Sequence, residues 1–228
     1  MRMPPWEELP PSLQTEDVRP YYEALTRRGL QLRLKRLLDV VGAAVLFVLL
    51  GWLFVILAVL IKLDSPGPVF FRQRRVTQFG REFRIVKFRT MTHRPADPGD
   101  QITREDDPRV TRVGAVLRRY RLDEVSQLID ILRGTMSFVG TRPEVPDYVR
   151  QYTPQMRATL LLPAGVTSTA SIEFKDEAQI LAAAPPGQDA YVTQVLPAKM
   201  RLNLRDVRDF SIGRDLRIAF RTILAVAT

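Results

Sequence analysis

From Val40 to Ile61 the chain reads VVGAAVLFVLLGWLFVILAVLI, 22 residues without a charged side chain. As a helix this stretch is about 33 Å long, against a hydrocarbon layer of roughly 30 Å, so insertion into a membrane is expected. A cleaved signal peptide fits poorly: the stretch starts late, runs long and has no small-residue cleavage site after it. Ahead of it, EDVRPYYEALTRRGLQLRLKRLLD is basic and amphipathic, the pattern of a helix lying on a membrane surface before insertion. Residues 1–20 are proline-rich and mixed in charge, and read as a flexible arm.

Beyond the apolar stretch the pattern changes period. DSPGPVF is a turn cluster, and PVFFRQRRV and REFRIVKFRTM, rich in Phe, Val and Ile and separated by TQFG, predict a β-hairpin. Residues 92–110 are polar and aperiodic, a loop long enough to be functional or disordered. Two helical stretches follow, about 111–120 and 122–133. In the second, Leu122, Val125, Leu128, Ile129 and Leu132 recur at helical spacing, so Asp123, Glu124 and Gln127 fall away from the apolar stripe. GTMSFVGTRP breaks that helix, EVPDYVRQYTPQMRATLLL is helical, and PAGVTSTASIEF is extended or looped. A helix around 175–184, the APPGQ turn and a mostly helical AYVTQVLPAKMRLNLRDVRDF come next. The closing GRDLRIAFRTILAVA puts Leu216, Ala219, Phe220, Ile223 and Leu224 on one face, to lie on a membrane or pack on the domain.

These elements predict an α/β, predominantly helical fold with a membrane-inserted helix, a small β-hairpin and amphipathic interfacial helices. Its expected divisions are an arm and amphipathic lead-in over 1–31, the membrane helix over 32–63, and a cytosolic catalytic domain over 64–228.

Charge changes the picture at two points. The chain carries 34 Lys and Arg against 25 Asp and Glu, net +9, which favours polyanions: nucleic acid, anionic headgroups or phosphorylated small molecules. Basic residues also flank the apolar stretch on both sides, Arg33, Lys35 and Arg36 before it and Lys62, Arg72, Arg74 and Arg75 after it. Positive charge marks the cytoplasmic side, and here both ends claim it. The helix either spans or enters, bends near Gly51-Trp52 and leaves on the same face; charge symmetry favours the re-entrant path. Asp39, near Arg36, is tolerable at headgroup depth, and Arg72, Arg74 and Arg75 most simply contact headgroups. With no cysteine and the single His93, disulfides, thiolate metal sites and two-histidine zinc sites are excluded.

The chemistry concentrates in YRLDEVSQLIDILRGTMSFVGTRP, residues 120–143. Asp123 and Glu124 stand in the first turn of a helix, where a carboxylate pair ordinarily caps and complements the dipole. Around them are Arg118, Arg119, Arg121 and Arg142, and arginine grips phosphate bidentately. A carboxylate beside such cations acts as a nucleophile on phosphorus or holds Mg²⁺ against diphosphate oxygens. Lys87 and Arg89, alternating with Val86 and Phe88, project from one strand face as a wet surface or as further phosphate ligands. Glu105, Asp106 and Asp107 form a solvated acidic turn rather than a metal site.

With these residues on the page, the chain resembles the bacterial sugar transferases, the monotopic phosphoglycosyl transferases, over about residues 32–226. The resemblance rests on KRLLDVVGA, DSPGPVFFRQRRV, FRIVKFRTM, DDPRVTRVGAVLRRYRLDEVSQLIDILRGTMSFVGTRPEV and DLRIAFRTIL, in that order. It implies transfer of a phosphosugar from a UDP-sugar to polyprenyl (undecaprenyl) phosphate, with UMP released, as the first membrane step of surface glycan synthesis. It further implies Mg²⁺ and a covalent phosphosugar on Asp123, with Glu124 as its dyad partner and Arg118 and Arg142 as phosphate ligands. Asp123 and Glu124 are the expected metal ligands, and Lys87 and Arg89 join the phosphate-binding set. The implied partners are the UDP-sugar, polyprenyl phosphate and membrane lipids, not nucleic acid, with a homodimer left open. The implied location is the bacterial inner membrane, catalytic domain on the cytoplasmic face. The chain departs from the family pattern in three places. Gly51-Trp52 stands where Ser-Pro is common, Thr141 stands at the first proline of the Pro-Arg-Pro element, and LPAGVTS lacks the arginine of RPGITG. No large membrane domain precedes the catalytic unit in this sequence, so a minimal form is expected. Two other classes remain open on the residues: an Mg²⁺-dependent lipid diphosphate phosphohydrolase, and a non-catalytic membrane-tethered binder of anionic lipid or nucleic acid.

Overall fold

The apolar stretch is divided between two helices. In the computed structural model, which describes residues 1–92, 107–175 and 190–227, α1 (Arg19–Thr26) leads into α2 (Gly29–Leu49). After Leu50 the path bends by 62° into α3 (Gly51–Asp64). The bend falls at the expected Gly51. Among the described residues no single helix is long and apolar enough to cross a membrane, and this bent pair passes by length and composition only jointly.

The face of α2 turned toward the protein carries two charges between apolar residues. Leu32, Lys35, Asp39 and Ala43 are buried, at helical spacing, while Leu34, Leu37, Leu38, Val41, Val45 and Val48 are exposed. Lys35 Nζ donates to Val139 O (2.8 Å) and Asp215 Oδ2 (2.6 Å). Asp39 Oδ1 accepts from Ser137 Oγ (3.0 Å) and the Phe138 amide (3.1 Å), and Arg36 donates to the carbonyls of Ile131 (2.7 Å) and Leu132 (3.1 Å). This corrects the headgroup reading of the upstream flank. Lys35, Arg36 and Asp39 are internal fasteners, because a charge inside a fold must find a partner.

After α3 come β1 (Phe70–Val76) and β2 (Glu82–Phe88), antiparallel, with Phe70 opposite Phe88 and Arg75 opposite Phe83. The expected hairpin is present, turning through Phe79 (φ 59°) and Gly80 (φ 74°). α4 (Arg112–Arg119) begins at Thr111, whose side chain accepts from the Gly114 amide. A 3₁₀ turn (Leu122–Gln127) runs into α5 (Leu128–Arg133), which ends at Gly134 in the left-handed region (φ 83°). β3 (Met136–Val139), inside the predicted helix break, pairs in parallel with β4 (Ala164–Thr167). Between them lie α6 (Pro146–Val149) and a 3₁₀ segment (Gln155–Leu161), so the helix expected there is two short pieces. A Cβ on Gly165 would stand 2.1 Å from the Gly140 nitrogen, so the crossing of these strands requires glycine. α7 (Thr169–Glu173), a π-helical turn (Tyr191–Val195), α8 (Leu196–Arg208) and α9 (Ile212–Ala227) complete the described chain. Apart from Lys175, the predicted 175–184 helix and the turn after it lie outside the described residues, as do positions 93–106 of the polar loop.

Residues 1–26 are not a loose arm. Leu9, Leu13, Val18 and Leu25 pack with Leu32, Ala158, Leu161, Leu162, Val207 and Phe210 in one apolar cluster. Each fully buried aliphatic side chain contributes about 1.5–3 kcal/mol. Prolines break the spacing of these residues, so no period betrayed them. α9 lies against the domain through Ile218, while Leu216, Phe220, Ile223 and Leu224 stay exposed.

Candidate active site

The turn that carries the carboxylate pair is built on a reversal. α4 ends at Arg119, and Arg121 then adopts φ 56°, ψ 21°, a left-handed conformation uncommon for a residue with a Cβ. The 3₁₀ turn that follows and α5 behind it are fastened to β2 through the two backbone groups of one residue, Val86. Ser126 Oγ donates to Val86 O (3.0 Å), and Asp130 Oδ2 accepts from the Val86 amide (2.8 Å). The expectation that Asp123, Glu124 and Gln127 fall away from the buried side is therefore corrected. Packing against β2 buries Asp123 and Gln127 and leaves Glu124 with a side chain 11% exposed. The segment is 3₁₀ rather than α, so the helical period misplaces its faces.

The two carboxylates have different surroundings. Glu124 sits between two cations drawn from separate elements. Lys87 Nζ, on β2, is 2.8 Å from Oε1; Arg142, in the loop after β3, donates Nη1 to Oε2 (3.2 Å) and Nη2 to Oε1. Burial alone would raise the Glu124 carboxyl, but Arg142 and Lys87 outweigh it and hold the group well below the usual carboxylate range. The Asp123 carboxylate has no hydrogen-bond donor among the described residues. Burial pushes its pKa up; the charge of Glu124 adds to this, while Lys87, Arg118 and Arg142 oppose it without cancelling it. A buried carboxylate that cations surround is chemically able to act as a nucleophile.

Of the residues expected at a site, Asp123, Glu124, Lys87, Arg118 and Arg142 come together. Arg118 stands in the last turn of α4, and its charge acts on Asp123 and on Asp107. Asp107 is itself lowered to about 2 by hydrogen bonds from Arg109; Glu105 and Asp106 lie outside the described residues. Arg89 does not join the cluster. It follows the end of β2, and its guanidinium donates to the carbonyls of Ile61 (3.2 Å), Ser65 (2.6 Å) and Pro66 (3.0 Å). It caps the C-terminal end of α3, whose last carbonyls have no helical partner. Arg75 also departs from its expected headgroup role. Strand alternation puts it on the face opposite Arg72 and Arg74, and it reaches the Pro143 carbonyl (3.0 Å) and lies 3.8 Å from Glu144. That alternation was readable in RQRRV; the burial of Glu144, Tyr191 and Lys199 beside it was not.

For a metal, the available donors are the hard oxygens of Asp123 and Glu124. Among the described residues no group of three or more His, Asp or Glu side chains converges. The set fits Mg²⁺, which keeps waters and is commonly held by one or two carboxylates plus substrate phosphates.

The chain matches the model of a family described as bacterial sugar transferase over residues 30–228. It is 36% identical over 224 residues to a UDP-glucose:undecaprenyl-phosphate glucose-1-phosphate transferase of Caulobacter vibrioides, covering 97% of this chain and 79% of that one. It is 35% identical over 198 residues to a UDP-N-acetylgalactosamine-undecaprenyl-phosphate N-acetylgalactosaminephosphotransferase of Aeromonas hydrophila, covering 86% and 44%. It is 34% identical over 211 residues to the exopolysaccharide production protein ExoY of Rhizobium meliloti, covering 84% of each. The chain thus spans less than half the length of the Aeromonas protein.

Proposed function

Since the chain belongs to the bacterial sugar transferase family, we propose that it moves a sugar 1-phosphate from a UDP-sugar to undecaprenyl phosphate, releasing UMP. The observation that carries this reading is the division of labour in the dyad: Asp123 is buried, its pKa is raised and it has no hydrogen-bond donor among the described residues, while Glu124 is clamped by two cations. In the first half-reaction an Asp123 oxygen attacks the phosphorus bearing the sugar. The bond from that phosphorus to the bridging oxygen breaks, and the electron pair leaves with UMP. In the second, an oxygen of the lipid phosphate attacks the same phosphorus and the Asp123 carboxylate departs. Arg118 and Arg142 supply positive charge where oxyanion charge grows.

As it stands Glu124 is a weak base, because Arg142 and Lys87 stabilise its ionised form. It gains basicity when Arg142 turns to the transferred phosphate, so substrate arrival frees the carboxylate that takes the lipid phosphate's proton. Mg²⁺, when bound, neutralises diphosphate oxygens, and Glu124 and Asp123 are the chain's donors to it.

We place the bent pair α2–α3 in the cytoplasmic leaflet of the bacterial inner membrane, entering and leaving on one side, with the exposed apolar face of α9 on the bilayer surface. The 62° bend and the exposed apolar side chains of α2, α3 and α9 support this. Single cysteines at the exposed positions Arg33 and Arg74 test it. Neither reacts with an impermeant thiol reagent on spheroplasts if both ends face the cytosol, and labelling of just one means a spanning helix.

The chemical test omits the acceptor. Purified protein given UDP-glucose or UDP-N-acetylgalactosamine gains the mass of one sugar phosphate and releases one UMP, and Asp123→Asn does neither. An adduct that survives Asp123→Asn removes Asp123 from the role. UMP release with water alone as acceptor, and no lipid product when undecaprenyl phosphate is added, would favour a phosphohydrolase.

A further inference from the structure

Arg142 is followed by a pair of residues whose carbonyls and carboxylate are all held. The Glu144 carbonyl accepts from the Val76 amide (2.9 Å), and the Pro143 carbonyl accepts from Arg75 Nη1 (3.0 Å). The Glu144 carboxylate, 8% exposed, accepts from the Tyr191 hydroxyl. It also lies 3.8 Å from Arg75 and 3.9 Å from Lys199. Lys199 Nζ in turn is 3.4 Å from the Tyr191 hydroxyl and 5.2 Å from its ring centre. Tyr191 and Lys199 are themselves 5% and 6% exposed. Two buried ions and a buried phenol are a costly way to pin a loop that apolar packing alone could hold. Such a network rigidifies what it touches when every member is satisfied.

We infer that Tyr191 and Glu144 are positioning residues that hold the backbone of Arg142 still while its guanidinium changes partner from Glu124 to the transferred phosphate. The inference rests on the reading of Arg142 given under the proposed function. Arg142 has two jobs that need one fixed backbone: it clamps Glu124 before the nucleotide sugar arrives and meets the phosphate afterwards. From the Pro143–Glu144 anchor only the side chain has to swing. Arg75 carries the link, since its guanidinium both donates to Pro143 and lies against Glu144. Tyr191 supplies a tie from the opposite side, at the π-helical start of the C-terminal helices, so the loop is held between β1 and α8. A misplacement of about 1 Å in a charge-stabilising group lowers turnover on the order of a hundredfold.

The test is a double-mutant cycle on the full chain in nanodiscs, with undecaprenyl phosphate and whichever of UDP-glucose and UDP-N-acetylgalactosamine the wild type turns over. Tyr191→Phe removes one hydroxyl and keeps the ring. It is expected to lower kcat roughly tenfold or more, with KM for the nucleotide sugar changed by less than about threefold. In an Arg142→Ala background the same substitution is expected to change kcat by less than about twofold, because nothing remains to be positioned. Glu144→Gln is expected to follow Tyr191→Phe, and Glu144→Asp to recover part of the loss. Equal losses in both backgrounds overturn the inference, as does unchanged kcat in Tyr191→Phe protein that melts like the wild type. Absence of turnover by the wild type with either nucleotide sugar would count against the proposed function instead, and the two failures are separable.

Discussion

Replacing Arg142 with alanine strips Glu124 of its bidentate partner and leaves the carboxylate with Lys87 alone. Breaking a fully buried pair from one side costs about 3–5 kcal/mol. Here the guanidinium side chain is 31% exposed and Glu124 keeps one cation, so solvent screening reduces the expected loss to about 2 kcal/mol at pH 7. Adding Glu124→Gln takes the remaining carboxylate from the half-buried Lys87 and should return none of that. Trp6 is a suitable reporter. It packs on the apolar cluster around Leu9 and Leu13, 5.1 Å from Tyr22, while Trp52 is 64% exposed on α3 and can be changed to Phe. Urea unfolding in detergent, followed by Trp6 emission, reads the difference. The pH dependence adds a sign. The depressed carboxyl of Glu124 stabilises the wild type above the unfolded carboxylate pKa, and that contribution is lost as pH falls from there toward the folded value. Without Arg142, burial dominates and the carboxyl titrates higher, so the gap between wild type and mutant narrows as pH falls through the ordinary carboxylate range. An Arg142→Ala protein as stable as the wild type at pH 7, or a double mutant more stable than the single one, would mean that Glu124 is not clamped by these two cations.

Four further outcomes are expected. Asp123 carries a raised pKa, so its ionised form opposes folding at neutral pH, and stability grows as pH falls through that raised value toward the ordinary aspartate value. Asp123→Asn should accordingly unfold about 1 kcal/mol later in urea, and the acidic limb of adduct formation in single-turnover assays should lie above the ordinary aspartate value; a destabilised mutant contradicts this. Gly165→Ala drives a Cβ into the Gly140 backbone and should cost about 3 kcal/mol or more, read as lost yield or early melting. Arg89→Ala uncaps α3 and should lower the melting temperature while leaving KM for the nucleotide sugar unchanged; a raised KM would restore it to the phosphate site. Phe220→Glu on the open face of α9 should move protein from the membrane pellet to the supernatant in carbonate washes, and full retention would argue that this face does not meet lipid.

Local pattern carried a large share of this protein. A charge-free run long enough to cross a bilayer, a hairpin written in Phe, Val and Ile around TQFG, and helices on either side of residues 120–122 are all properties of short windows, and the fold contains each of them. Composition put Asp123 and Glu124 among arginines, and the chain does gather Lys87, Arg118 and Arg142 around them. What only the tertiary structure decided is which charge faces which. Lys35, Arg36 and Asp39 look like headgroup contacts until β3 and α5 are packed against them. Lys87 and Arg89, two residues apart, part company because one meets the dyad and the other the end of α3. Residues 1–26 gain a core mainly from side chains more than a hundred positions away, among them Ala158, Leu161, Val207 and Phe210. A window of sequence reports propensity and period, but the partner of a buried charge is set by elements that meet across the whole chain, and the cost of leaving it unpaired is what selects the arrangement.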